Sequence, residues 1–211
     1  LLYKGRDFSK ETETQELNNP IEILYTGNLY SGRYNTIAKF CEYLKDINRD
    51  GQKAVLKIYS ASPLSDKEIQ AINIDGTSYF MGRTSEAEVQ KLQTKADILL
   101  HIEPFTLKGS LSCRLSFSTK LVDYFSKKKC IFAVGHSRCS SMKYLKRNDS
   151  AVVCESYKEM GEKLTELLKS PEEIKTYAKK AWDCGARNHR IEDIQSGLIK
   201  DFKEAINFEE K

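Results

Sequence analysis

The chain has 211 residues, 40% of them hydrophobic and 30% charged, with 34 Lys and Arg against 30 Asp and Glu for a net charge of +4. That is enough chain for a full core without disulfide or metal support, and no apolar run approaches the ~20 residues of a membrane span. The mild, interspersed charge and the scattered tyrosines argue against nucleic acid as a partner.

Cysteines stand at positions 41, 113, 130, 139, 154 and 184 with no CxxC pair and no zinc-ligand spacing. They read as free thiols of a reducing cytoplasm. His136 and Cys139 lack a second ligand pair, so no metal is expected.

Residues 1–20 are polar and acidic in the middle (SKETETQELNNP) and read as an exposed linker from an N-terminal domain. The opening LLYKGRDFSK has neither an initiator Met nor a signal-peptide pattern, so a piece of a longer protein is expected. Ile21 to Tyr25 forms a short apolar strand that breaks into TGNLYSGRYN, where Gly27 and Gly32 let the backbone approach a ligand and Arg33 stands at the far end. Tyr34, Ile37, Phe40, Cys41, Leu44 and Ile47 follow at helical spacing.

Ala54 to Tyr59 is a second strand, followed by a helix that Ser65 and Glu68 cap as an S-x-x-E box. Tyr79 to Met81 is a third strand, ending at Gly82 and Arg83. Ser85 and Glu88 open another capped helix, and Asp97 to Ile102 is a buried fourth strand. The next stretch, EPFTLKGSLSCRLSF, is a long polar loop. It leads into a helix opened by Ser118, Thr119 and Lys120, then into the apolar strand Cys130 to Val134.

A helix around Met142 and Leu145 and a strand from Ala151 to Cys154 come next. Ser156 with Glu159 caps one further helix, and Ser170, Pro171 and Glu173 begin another. Residues 190–211 form a last amphipathic helix with Ile191, Ile194, Leu198, Ile199, Phe202 and Ile206 on one face. Six strands alternating with helices over 21–189 predict an α/β fold with a doubly wound, mostly parallel six-stranded sheet. Its ligand crevice lies beyond the carboxyl ends of the strands.

Three features converge at that crevice: the Gly27 to Arg33 loop, the Gly82–Arg83 turn and the Ser118 helix start. A helix N-terminus whose N–H groups Ser118 and Thr119 cap, together with Arg33 and Lys120, suits a diphosphate. Carboxylates at Glu103 and Asp123 can accept hydrogen bonds from sugar or ribose hydroxyls. The combination points to a nucleotide sugar. Neither G-x-G-x-x-G nor G-x-x-x-x-G-K-[ST] occurs, which disfavours dinucleotide and P-loop sites.

Over residues 21–207, the order GNLYSGRYNT, FMGRTSEAEV, KADILLHIE and STKLVDYFSKKKCIFAVG resembles the C-terminal, donor-binding domain of GT-B-fold retaining glycosyltransferases, glycosyltransferase group 1. The resemblance implies that Gly27, Asn28, Arg33, Ser118, Thr119 and Lys120 hold the donor diphosphate, and that Gly82, Arg83 and Asp123 meet base and ribose. It implies transfer from a nucleoside diphosphate sugar to a hydroxyl with retention, in surface polysaccharide assembly, with no cofactor or metal. An N-terminal acceptor domain is then missing, so this fragment alone is expected to be inactive, and the longer protein leaves room for peripheral membrane contact.

The sequence departs from the family pattern in three ways. Asn28 replaces the usual basic residue, Arg33 the usual lysine, and Asp123 the second glutamate of a Glu-x7-Glu pair that is absent here. A nucleotide-sugar epimerase domain of the same architecture, or a flavodoxin-like or receiver-like interaction module, are the alternatives.

Overall fold

A computed structural model describes residues 4–11 and 15–209, with side chains through 206. In chain order the elements are β1 (Ile21–Thr26), α1 (Arg33–Ile47), β2 (Ala54–Tyr59), α2 (Asp66–Ile72), β3 (Ser78–Gly82), α3 (Glu86–Lys95) and β4 (Ile98–Ile102). Then follow α4 (Leu107–Ser112), α5 (Lys120–Ser126), β5 (Cys130–Val134), α6 (Ser140–Arg147), β6 (Val152–Cys154), α7 (Tyr157–Leu167), α8 (Pro171–Asn188) and α9 (Ile191–Glu209). The strands pair in the order β3-β2-β1-β4-β5-β6, every neighbour parallel, as the alternation of strand and helix predicts.

Period-two alternation sends successive side chains to opposite faces of the sheet. In β1, Ile23 and Tyr25 enter one core with Ile37, Phe40, Leu56 and Phe132. Leu24 enters the other, with Leu99, Leu121, Phe125 and Ile131. Each fully buried large apolar side chain contributes roughly 1.5–3 kcal/mol. β4 and β5 are buried along their whole length because helices cover both faces. Ser65 and Glu68 form the full capping box, and Ser85 and Ser156 accept from the N–H groups of Glu88 and Glu159.

Two sequence expectations need correction. Part of the N-terminal segment packs on the domain rather than standing exposed: Phe8 is buried against Trp182, ring centroids 5.0 Å apart, and Arg6 bridges to Arg190 beside α9. One apolar residue in a polar stretch has no periodicity to announce it. The loop after β4 is not structureless either, since Thr106 caps α4 by accepting from the Gly109 N–H at 3.2 Å. On α9, Ile199, Phe202 and Ile206 are exposed, leaving part of the predicted apolar face unpacked. No helix among the described residues is long and apolar enough to cross a membrane.

Candidate functional site

The sheet reverses its winding between β1 and β4, and the loops leaving those two strands diverge there to open a crevice. β1 ends at Thr26 and the chain turns at Gly27, whose φ of +150° lies where side chains are disfavoured. A Cβ at Gly27 would stand 2.6 Å from Lys120 Nζ, so glycine lets that lysine lie against the turn. Gly32, in the left-handed region at φ 90°, ends the loop and delivers Arg33 as the first residue of α1.

Arg33 reaches across to the end of β4. Its Nε donates to the Ile102 carbonyl at 3.1 Å and one Nη to Glu103 Oε2 at 3.1 Å. Its other Nη touches Asn28 Oδ1 at 3.5 Å. From the opposite wall, Lys120 Nζ donates to the Thr26 carbonyl at 2.8 Å and lies 5.6 Å from the centre of the Tyr25 ring. Asn28, Arg33, Glu103, Ser118 and Lys120 thus line one cavity of about 200 Å3, with His101, Cys113 and Ser116 completing its wall.

Burial first, then the neighbouring Arg33 charge, push the Lys120 ammonium down to about 8. Burial alone would raise the Glu103 carboxyl, but the Arg33 guanidinium holds it below the usual carboxylate range. Burial also drives His101 toward its neutral form, which leaves Arg33 as the standing cationic partner of Glu103 at neutral pH. His101 Nε2 lies 3.3 Å from Glu103 Oε1 but off the line of a hydrogen bond, and neither ring nitrogen has a partner among the described residues.

A second cavity of about 280 Å3 adjoins the first at Asn28 and runs toward β2 and β3, lined by Gly27, Tyr30, Tyr59, Arg83, Thr84 and Val89. Gly82 ends β3 at φ +70° and its carbonyl accepts from the Ser60 N–H at 2.9 Å; it shapes the turn without lining the cavity.

The structure therefore brings together Asn28, Arg33, Ser118 and Lys120, with Gly27 beneath them and Arg83 nearby. Two predicted residues stand apart. Thr119 is exposed outside the cavity lining, and neither Ser118 nor Thr119 caps α5 through its side chain. The N–H groups of Leu121 and Val122 instead donate to the carbonyls of Ser118 and Thr119 at 3.1 and 3.3 Å. Asp123 is turned to the N-terminal segment, where Lys4 Nζ and Arg6 Nε donate to its carboxylate at 2.6 and 2.7 Å. Its position one turn into the helix gives no sign of those partners, over a hundred residues away.

His101 is a lining residue that reads as merely structural in the sequence. A lone polar residue in the apolar run DILLHI is the signal that marks it.

A parallel sheet in this order, with its crevice at the switch point, defines the fold class: a Rossmann-like α/β fold of the kind that forms one half of GT-B glycosyltransferases. Sucrose-phosphate synthase from Thermosynechococcus elongatus is similar over 98% of this chain and 52% of its own, at 12% identity and TM-score 0.68. A point mutant of S. aureus TarM, in complex with fondaparinux, alpha-GlcNAc-glycerol and UDP, is similar over 90% of this chain and 38% of its own, at 12% identity and TM-score 0.62. The C-terminal domain of the glycosyl transferase group 1 family protein LpcC from Francisella tularensis is matched over its full length, 100%, and 89% of this chain, at 13% identity and TM-score 0.61. The chain thus spans about two-fifths to half of the two larger proteins. No family model matches the sequence, and no curated protein matches it. At these identities the likeness is one of fold.

Proposed function

We propose that the chain is the donor-binding half of a glycosyltransferase that moves a sugar from a nucleoside diphosphate sugar to a hydroxyl with retention. The observation that carries this reading is the convergence of Arg33, Lys120, Asn28 and Ser118 on one cavity at the β1/β4 switch point. The diphosphate occupies that cavity, and the nucleoside extends past Asn28 into the second one, with its base toward Arg83 and Thr84. Arg33 and Lys120 outnumber the single Glu103 carboxylate, so the cavity keeps a cationic excess for an anion. Their attraction grows as charge builds on the departing diphosphate, which lowers the transition state more than the ground state.

The UDP complex of TarM supports the donor class, and the similarity to a trehalose-6-phosphate synthase, an enzyme of glycosyltransfer with retention, supports the stereochemistry. The similarity to WaaG, a glycosyltransferase involved in lipopolysaccharide biosynthesis, supports a role in surface polysaccharide assembly. The acceptor side and its catalytic groups belong to a second domain, toward which the exposed α9 residues turn, and this half alone is inactive.

Thermal melting with UDP, GDP and ADP tests the reading. A nucleotide at ~100 times its Kd stabilises the fold by about 2.7 kcal/mol. For a domain of this size that is a rise of roughly 5–10 °C. No shift with any of the three at millimolar concentration would sink the proposal.

A further inference from the structure

We infer a binding site for one thiophilic divalent cation of the zinc type at the edge of the β1/β4 cavity, held by Glu103 and Cys113 of its lining and by the fully buried Cys139 beside them. The ligand atoms of these three residues all lie within 4.8 Å of one another. A tetrahedral site with Zn–S bonds of about 2.3 Å has ligand edges of about 3.8 Å, so closure asks for side-chain shifts of about 1 Å. His136, the partner that sequence spacing offered Cys139, is not in the group; its Nδ1 accepts from the Arg138 N–H at 3.1 Å.

The cluster is built from separate elements that the backbone clips together. Glu103 follows β4, with its N–H donating to the Val134 carbonyl at 2.9 Å. Cys113 closes α4 and Cys139 precedes α6, and Ser140 joins the two by donating its N–H and its hydroxyl to the Cys113 carbonyl at 3.1 and 3.3 Å.

His101 supplies an independent observation. It is 2% exposed, lines the same cavity, and has two ring nitrogens without partners among the described residues, a costly state for a buried polar group. His101 is outside the three-residue group and meets it only through Glu103, with Nε2 3.3 Å from Oε1, so it flanks the site rather than completing it. Two thiolates and one carboxylate form a set that favours zinc-type ions over magnesium or calcium.

Burial and the Glu103 carboxylate push both thiols up, so metal binding has to displace their protons. The ion replaces two thiol protons, which leave to solvent, so the net charge seen by Arg33 and Lys120 is unchanged. Arg33 keeps Glu103 Oε2, and its Nη lies 3.8 Å from Cys113 Sγ, where it favours the thiolate. The site stands whether or not a nucleotide sugar binds.

The test is a cobalt titration of the full chain after chelator treatment and reduction, followed by zinc competition. One equivalent of Co2+ should produce thiolate-to-metal charge transfer in the near ultraviolet, and one equivalent of Zn2+ should remove it. Cys113→Ser and Cys139→Ser should each weaken zinc at least tenfold. Cys184→Ser, at a thiol that contacts Tyr144, should leave affinity unchanged. X-ray absorption on the wild-type zinc complex should show two sulfur ligands, a readout that holds even if a variant fails to fold. Absence of the charge-transfer band, a zinc shell without sulfur, or a band that survives the double serine variant would each overturn the site.

Discussion

One short helix carries charge into two different surroundings. Lys120, at the start of α5, is enclosed beside Arg33 with a carbonyl and an aromatic ring as company, and its ammonium is pushed down to about 8. Asp123, one turn later, is paired by Lys4 and Arg6, whose side chains remain 33% and 39% exposed. Water relieves the second cluster more than the first, where Arg33 is 21% exposed and Lys120 is half-buried. A cation that the fold encloses without neutralising is what an anionic ligand can use, whereas the Asp123 cluster ties the N-terminal segment to the domain.

The sharpest way to break this contrast is Arg33→Ala. It removes one diphosphate contact and strands the buried Glu103 carboxylate, so the stability loss should be about 3 kcal/mol by denaturant melting. Nucleotide affinity should fall roughly 10- to 100-fold. An unchanged melt would show that the Arg33–Glu103 pair does not stand in solution.

Lys120→Met separates binding from folding. Calorimetry should show UDP affinity falling roughly tenfold or more, with little loss of stability, because the variant no longer encloses a charge. The pH dependence follows from the lowered pKa. Between about 8 and the ordinary 10.5 the unfolded chain holds the Lys120 proton more tightly than the folded one, so stability rises with pH across that window. Below about 8 both states are protonated and this slope vanishes. Nucleotide affinity runs the opposite way, flat below about 8 and falling above it as the cation is lost. A Lys120→Met protein with the wild-type pH profile would refute the assignment.

Asp123→Asn should have the smallest effect. Its partners are partly solvated, so the loss should be at most about 1 kcal/mol, with faster proteolysis near residues 4–11 as the readout. UDP affinity should change less than threefold; a drop beyond tenfold would return Asp123 to the ribose role implied by the family resemblance.

Much of the architecture was legible in local pattern. Apolar runs of five or six residues, three Ser-x-x-Glu caps and the spacing of Ile37, Phe40, Cys41 and Leu44 name the strands and helices, because period and capping are properties of neighbours in sequence. Glycines at 27 and 32 marked a close-approach loop, and Arg33 and Lys120 stood at strand-end positions that a parallel sheet must gather at one edge. Phe8 escaped notice because one aromatic in a polar segment carries no period. The partners of Asp123 were not legible because its helix position favours any anion at a positive dipole end, whatever its partner.

The sequence by itself determined the order of elements, the parallel winding and the pair of cations that belong at its switch point, since hydrophobic period and connection handedness leave few other solutions. Only the tertiary structure decided how charges and thiols are shared. Arg33 went to Glu103, Asp123 to Lys4 and Arg6, and Cys139 to Cys113 rather than to His136. Each of these partnerships joins residues far apart in the chain, and which side chains meet there depends on how helices settle against the sheet, a matter of three-dimensional packing that no local spacing encodes.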